Sequence, residues 1–129
     1  NDRELYVQLA DRMVIIDSIK EAYNTWLDRT WDPFVDDWME LTERYRNSNK
    51  NNRDESNDLK YHLSVMVIHC ERLMKCCQRM RDLWCRGIDV RNNQGIHDIC
   101  ENLKNVQGNI RECREYIQTM QEYLEVLND

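Results

Sequence analysis

The stretch of sequence that decides the fold runs from Leu59 to Cys85 and reads LKYHLSVMVIHCERLMKCCQRMRDLWC. Its apolar residues recur at steps of three and four, and residues spaced in this way lie on one face of a helix with about 3.6 residues per turn. They are Leu63, Met66, Cys70, Leu73, Cys77, Met80 and Trp84. The stretch Ile96–Leu127 shows the same pattern over its whole length. Two such helices, joined by a short connection that holds Gly87 and Gly95, predict an antiparallel hairpin.

Two further helices are predicted in the first half of the chain, at about residues 3–28 and 33–46. The first has its apolar face at Leu5, Leu9, Met13, Ile16, Ile19, Tyr23 and Trp26. Asp32 and Pro33 separate the two helices, because proline suits the first position of a helix and aspartate suits the position before it. Since the separation is short, the second helix is expected to pack antiparallel on the first.

Together these patterns predict a single all-α domain over residues 1–129, a four-helix bundle built from two antiparallel hairpins. Its helices are expected at about residues 3–28, 33–46, 59–86 and 96–127. One proline and three glycines are too few for a β-sandwich, a barrel or a phosphate-binding fold. Residues 47–58 contain no apolar side chain, which predicts a mobile polar loop between the hairpins. Ser56 or Asp58 is expected to cap the third helix.

All six cysteines lie in the second predicted hairpin. The numbers of facing residues in an antiparallel hairpin have a nearly constant sum, and Cys70 with Cys113 gives 183 while Cys85 with Cys100 gives 185. One register therefore brings both pairs face to face and predicts two disulfides between the third and fourth helices. Because disulfides belong to oxidising compartments, this predicts a secreted protein. The alternative is a cytosolic bundle in which cysteine serves as a small core residue.

Cys76 and Cys77 have no partner in this register and stay unassigned. Free buried thiols, an intermolecular bridge and a break in the helix near Lys75 are all compatible with the sequence.

The net charge of −6 is distributed unevenly along the chain. Residues 1–58 carry the whole excess, with fourteen acidic and eight basic residues. Residues 59–91 have a net charge of +4 and residues 92–129 a net charge of −4, which favours pairing of the last two helices. An acidic chain of this kind is not expected to bind nucleic acid. It contains no run of about 18 apolar residues, so no membrane span is expected.

The sequence lacks the motifs that would indicate an enzyme or a cofactor. There is no nucleophile elbow, no metalloprotease motif and no glycine-rich phosphate loop. His97 and Cys100 are three residues apart and Cys85 is expected opposite them, but this spacing is atypical of a metal site. We therefore expect a non-enzymatic protein without metal or cofactor.

Two groups of residues are candidates for contact with a protein partner. The aromatic residues Trp31, Phe34 and Trp38 either form an exposed binding site or cap the open end of the bundle. A basic stripe on the third helix either pairs with acidic residues of the fourth helix or docks an acidic partner. The stripe consists of Arg72, Lys75, Arg79 and Arg86, and the acidic residues are Glu101, Glu112 and Glu115.

Three functions fit a small helical protein of this kind. A helical cytokine has long first and last connections, whereas here only the middle connection is expected to be long. The order of elements therefore favours a secreted binding or inhibitor protein that presents a rigid helical surface. A cytokine-like ligand of a cell-surface receptor and an intracellular helical adaptor remain the alternatives. The sequence leaves the identity of the protein partner and the formation of a homodimer open.

The chain resembles the anopheline salivary anti-complement family, small all-helical salivary proteins of blood-feeding mosquitoes. The shared features are an acidic helical chain, the stretch Trp31–Trp38 followed by Met39-Glu40-Leu41, an asparagine-rich loop and cysteines confined to the second half. The resemblance implies a secreted, non-enzymatic inhibitor of the alternative complement pathway that binds the C3 convertase. It transfers no functional residues to this chain.

Overall fold

The computed structural model describes residues 2–86 and 93–129, and the described part of the chain is entirely helical apart from one short connection and the last residue. The elements in chain order are α1 (Asp2–Trp26), a π-helical turn (Leu27–Trp31), α2 (Asp32–Asn47), α3 (Arg53–Arg86) and α4 (Asn93–Asn128). Within these helices, the side chains of residues 5–6, 8–16, 86 and 93–99 lie outside the described part. The predicted all-α class is confirmed.

α1, the π-turn and α2 form one uninterrupted helical segment over residues 2–47, called the long helix below. At the junction, Trp31 has φ −71° and ψ −54°, and Asp32 has φ −60° and ψ −44°, so both residues are helical. The predicted break at Pro33 is wrong, and so is the predicted hairpin between the first two helices. Proline is accommodated because it directly follows the π-turn, where the N–H of Asp32 donates to the carbonyl of Leu27, five residues back.

The core residues of the long helix continue on one face through the π-turn. Tyr23, Trp31, Phe34 and Trp38 are buried, and the partly buried Leu27 packs against both core clusters. These residues follow one another at steps of four, four, three and four, which keep them on one side of a helix. Both parts of the long helix therefore face the same core.

α3 and α4 pack against each other along their length in antiparallel orientation. At mid-height the thiol of Cys70 donates a hydrogen bond to the carbonyl oxygen of Cys113, 3.5 Å away. These two residues therefore face each other in the register that the sequence predicts.

The long helix runs parallel to α4 and antiparallel to α3. At one level its Tyr23 contacts Trp84 of α3 and Asn109 of α4. Further along, Arg44 reaches Asp58 near the start of α3, and the next residue, Tyr45, stacks on a ring near the end of α4. The described residues therefore form three packed helical rods instead of the four that two hairpins would give.

Aromatic rings join the long helix to α4. Trp31 stacks on Tyr116 with ring centroids 6.4 Å apart, and Trp38 lies 6.0 Å from both Tyr116 and Tyr123. Tyr45 stacks on Tyr123 at 3.8 Å with an interplanar angle of 11°. Such contacts add to the hydrophobic burial of the rings. They hold the second half of the long helix against α4.

Asn52, and not Ser56 or Asp58, caps α3. Its side-chain oxygen accepts hydrogen bonds from the N–H groups of Asp54 and Glu55, at 3.1 and 3.3 Å. The hydroxyl of Ser56 donates instead to the carbonyl of Lys50, and the carboxylate of Asp58 accepts from Arg44. The helix therefore begins at Arg53, because asparagine is among the best N-cap residues. The predicted loop over residues 47–58 was too long, since residues 53–58 belong to α3.

The core gives a direct prediction for stability. Phe34 is 1% exposed and contacts Trp31, Tyr116 and His69, so Phe34→Ala should leave a cavity and lower the free energy of unfolding by about 3–5 kcal/mol. The measurement is urea unfolding followed by circular dichroism. Met39→Ala on the same helix is the control, because Met39 is 63% exposed and its loss should change stability by less than about 0.5 kcal/mol. Equal losses in the two variants would show that the long helix is oriented differently.

Candidate protein-binding surface

The aromatic residues proposed as an exposed binding site are buried. Trp31 and Trp38 are each 6% exposed and Phe34 is 1% exposed. All three belong to the main core cluster, where side chains of α3 and α4 cover them. The prediction of an exposed aromatic site is therefore wrong, and the rings fill the core instead of capping an open end of the bundle.

The basic residues Arg72, Lys75 and Arg79 are exposed on α3. None of them forms an ion pair with a described acidic side chain, so the predicted pairing with Glu101, Glu112 and Glu115 is absent among the described residues. The side chain of Arg86 lies outside the described residues. Three of the four residues of the predicted basic stripe therefore remain available for contact with another molecule.

These basic residues belong to a longer surface, called the α3 outer face below. It consists of eight exposed residues at alternating steps of four and three: Asp54, Asp58, Tyr61, Val65, Ile68, Arg72, Lys75 and Arg79. The inner face of α3, which includes Leu59, Leu63 and Cys70, packs in the core. From Tyr61 on, the outer residues follow the inner ones by two positions, which is about 200° around a helix. The bundle therefore leaves the outer face to solvent.

The centre of the α3 outer face is apolar. Tyr61, Val65 and Ile68 are 66%, 49% and 52% exposed, so about half or more of each side chain meets water. Isolated exposed apolar residues are common on protein surfaces, but three at consecutive helical steps form a contiguous patch. The sequence pattern predicted only the inner apolar face of this helix, so the patch was not among the predicted binding residues. The sequence signal for the patch was the spacing of Tyr61, Val65 and Ile68, which repeats the three-and-four steps of the inner apolar residues two positions later.

The charges on the α3 outer face are ordered along the helix. Asp54 and Asp58 precede the apolar centre, and three bases follow it. The carboxylate of Asp58 accepts a hydrogen bond from Arg44 at 2.7 Å and lies 3.4 Å from His62. The face therefore has an acidic end, an apolar centre and a basic end.

No cysteine of the chain is disulfide-bonded in the structure. Cys70, Cys77 and Cys113 are fully buried, Cys76 is half-buried, and Cys85 and Cys100 are exposed. The hydrogen bond between the side chains of Cys70 and Cys113, and after it burial, raises the pKa of the Cys70 thiol well above its ordinary value, while the same bond lowers the pKa of the Cys113 thiol. Burial raises the pKa of the Cys77 thiol to about 12. Cys77 packs with Tyr23, Val106 and Ile110 and acts as an apolar core residue.

One polar contact lies inside the core. The side-chain amide of Asn109 donates a hydrogen bond of 2.8 Å to the hydroxyl of Tyr23, and the two residues are 8% and 2% exposed. Burial raises the pKa of Tyr23 to about 12, although the hydrogen bond from Asn109 acts in the opposite direction. The pair fixes the long helix against α4, because each buried group depends on the other for its partner.

The described residues contain no group of three histidine, cysteine or acidic side chains that could hold a metal ion. The side chain of His97, and with it the predicted proximity of His97 to Cys100, lies outside the described part. No helix in the described ranges combines the length and the apolar character needed to span a bilayer.

Comparisons with known proteins do not place the chain in a family. No family model, no characterised protein and no solved structure matches it. The α3 outer face is therefore interpreted from its own geometry and charge.

The buried pair gives a prediction for stability and its dependence on pH. Tyr23→Phe leaves the amide of Asn109 without its acceptor and should lower the free energy of unfolding by about 1–3 kcal/mol at neutral pH. Folding raises the pKa of Tyr23 from 10.0 to about 12, so its contribution is fully present below pH 10 and is lost as the pH rises through about 12. Urea unfolding between pH 8 and 12 measures both effects.

Tyr61→Phe is the matched control, since Tyr61 is 66% exposed. The stability difference between the wild type and Tyr23→Phe should shrink above pH 10, whereas Tyr61→Phe should follow the wild type throughout. A difference for Tyr23→Phe that does not depend on pH would contradict a buried, un-ionised Tyr23.

The burial of the thiols gives a prediction for their reactivity. In the reduced protein, iodoacetamide should label Cys85 and Cys100 first, because their thiols are exposed to the reagent whereas the fully buried thiols are not. Cys70, Cys77 and Cys113 should be labelled only after unfolding. Timed alkylation with peptide mapping measures the order, and early labelling of Cys77 would show that it does not lie in the core.

Proposed function

We propose that the protein is a secreted, non-enzymatic binding protein that presents the α3 outer face to another protein. The observation that carries this proposal is the exposed apolar patch of Tyr61, Val65 and Ile68 on a helix whose opposite face is fixed in the core. Contiguous apolar patches rimmed by polar residues are typical of protein interaction sites. Residues at steps of three and four are also how an amphipathic helix contacts a groove.

The rigidity of α3 supports this role. The helix packs on α4 along its length and on α2 near its start, where Arg44 bonds to Asp58. A surface that is ordered before binding loses little conformational entropy on association. The bases Arg72, Lys75 and Arg79 would then select a partner with an acidic surface and speed its association.

Secretion and disulfide bonds are part of the proposal. This part of the proposal is supported by the contact of Cys70 on α3 with Cys113 on α4, where the Cys70 sulfur lies 3.5 Å from the Cys113 carbonyl oxygen. Cys85 and Cys100 are exposed near the end of α3 and the start of α4. Oxidation of both pairs would tie α3 to α4 and stiffen the helix that carries the binding surface. Intact mass after alkylation of the unfolded protein in denaturant, without reductant, tests this, since six alkylated thiols would contradict it.

We propose that the target is the convertase of the alternative complement pathway. This chain would bind the convertase without carrying out a catalytic step. The support is the resemblance in overall character to the anopheline salivary anti-complement family. A cytokine-like ligand has less support, because cytokine bundles need long connections and α2 is joined to α3 by residues 48–52 alone. An intracellular adaptor would carry the same face with reduced cysteines, and the alkylation experiment distinguishes it.

The test of the proposed function is inhibition of alternative-pathway haemolysis, together with binding to the assembled convertase by surface plasmon resonance. The variant Val65→Glu/Ile68→Glu should lose about tenfold or more in both assays, because each change places a charge in the contact. Val126→Glu on α4 is the control, since Val126 is also 49% exposed but does not belong to the α3 outer face. It should behave like the wild type.

Two results would contradict the proposal in different ways. A wild-type protein that neither inhibits haemolysis nor binds the convertase overturns the target. A double variant that is as active as the wild type overturns the α3 outer face as the binding surface.

A further inference from the structure

We infer that the α3 outer face also pairs with the same face of a second copy of this chain, in an antiparallel, two-fold symmetric dimer. The inference rests on the proposed binding role of this face and names one partner for it. Three properties of the face carry it: the spacing of its residues, the order of its charges and the exposure of its apolar centre.

The spacing of the eight residues is the same in both directions. From Asp54 to Arg79 the steps are four, three, four, three, four, three and four. A second copy laid antiparallel therefore meets the first position for position. Alternating steps of four and three are also the spacing with which two helices pack side by side.

The charges pair in this antiparallel register. Asp54 lies opposite Arg79 of the second copy, and Asp58 lies opposite Lys75. Both pairs have residue numbers that sum to 133, so one register forms both of them, and the two-fold axis repeats each pair. Asp58 already accepts a hydrogen bond from Arg44 within its own chain, and a carboxylate has further lone pairs for a lysine.

The centre of the face pairs in the same register. Val65 lies opposite Ile68 of the second copy, and their residue numbers again sum to 133. The two-fold axis passes between this pair and its symmetry-related copy. Tyr61 lies opposite Arg72, where a guanidinium over an aromatic ring is favourable. Side chains that are about half exposed in the single chain would be covered in the pair.

The charge order also excludes the parallel arrangement. Two copies in parallel would place aspartate on aspartate at one end and arginine on arginine at the other, which is unfavourable. The charges therefore select the antiparallel register, while the apolar centre supplies most of the free energy, because exposed ion pairs contribute little. The contact is about 37 Å long at a rise of about 1.5 Å per residue.

The size of the contact indicates a reversible dimer. One helix against one helix buries less than a stable, permanent interface requires. Because the dimer covers the apolar centre, it competes with any other protein that binds there. The single chain is then the binding form, and self-pairing limits it at high protein concentration.

The test is sedimentation velocity of the purified full chain over a range of concentrations from about 1 to 500 μM. The wild type should change from monomer to dimer within this range, and 1 M salt should weaken the dimer because it screens the end charges. Val65→Glu should weaken the dimer about tenfold or more. Val126→Glu should leave it unchanged.

A charge exchange tests the register. Asp54→Lys alone places a lysine opposite Arg79 of the second copy, and Arg79→Glu alone places a glutamate opposite Asp54, so each should weaken the dimer several-fold. The double variant Asp54→Lys/Arg79→Glu again pairs opposite charges and should dimerise within about twofold of the wild type. Circular dichroism of each variant shows that the fold is kept.

The outcomes separate this inference from the proposed function. A wild type that stays monomeric at 500 μM overturns the inference and leaves convertase binding untouched. A dimer that Val65→Glu does not weaken, or a double variant that does not recover, overturns the proposed register. If the wild type dimerises and the variants change the dimer as expected, but the protein does not inhibit complement, the inference is supported and the proposed target is overturned.

Discussion

The continuous apolar face of the long helix is the constraint on which the packing depends. Its core residues Tyr23, Leu27, Trp31, Phe34 and Trp38 follow one another at steps of three and four through the π-turn at Leu27–Trp31. The long helix therefore faces both α3 and α4 from Tyr23 onward. The aromatic contacts with α4, the buried pair of Tyr23 with Asn109 and the exposure of the opposite side of α3 all follow from this alignment.

The sequence predicted the fold best where an unbroken apolar pattern runs through a whole helix. The pairing of α3 with α4 follows from such patterns, and the contact of Cys70 with Cys113 lies in the predicted register. The prediction was wrong at Pro33, because a proline was taken as the start of a new helix. A helix can continue through proline where a π-turn precedes it. The sequence signal for continuity was the spacing of Leu27, Trp31 and Phe34, which keeps steps of four and three across Pro33.

The binding surface could be predicted only in part. The bases Arg72, Lys75 and Arg79 were recognised because charged residues at helical spacing are normally exposed. The aromatic candidates were misplaced, because their burial depends on the long helix lying across both other helices, which no local pattern reveals. The apolar patch of Tyr61, Val65 and Ile68 was missed for a related reason. Apolar residues at helical spacing indicate a buried face unless the packing partner of that face is known to be absent.

The continuity of the long helix is the central claim, and a single distance tests it most directly. Val7 and Met39 are 55% and 63% exposed, so spin labels introduced there by a non-cysteine chemistry should not disturb the core. Along one helix the two positions are about 48 Å apart at a rise of about 1.5 Å per residue. Pulsed electron resonance should therefore give a single distance distribution near that value. A distribution centred near roughly 25 Å, as a hairpin at Pro33 requires, would contradict the account.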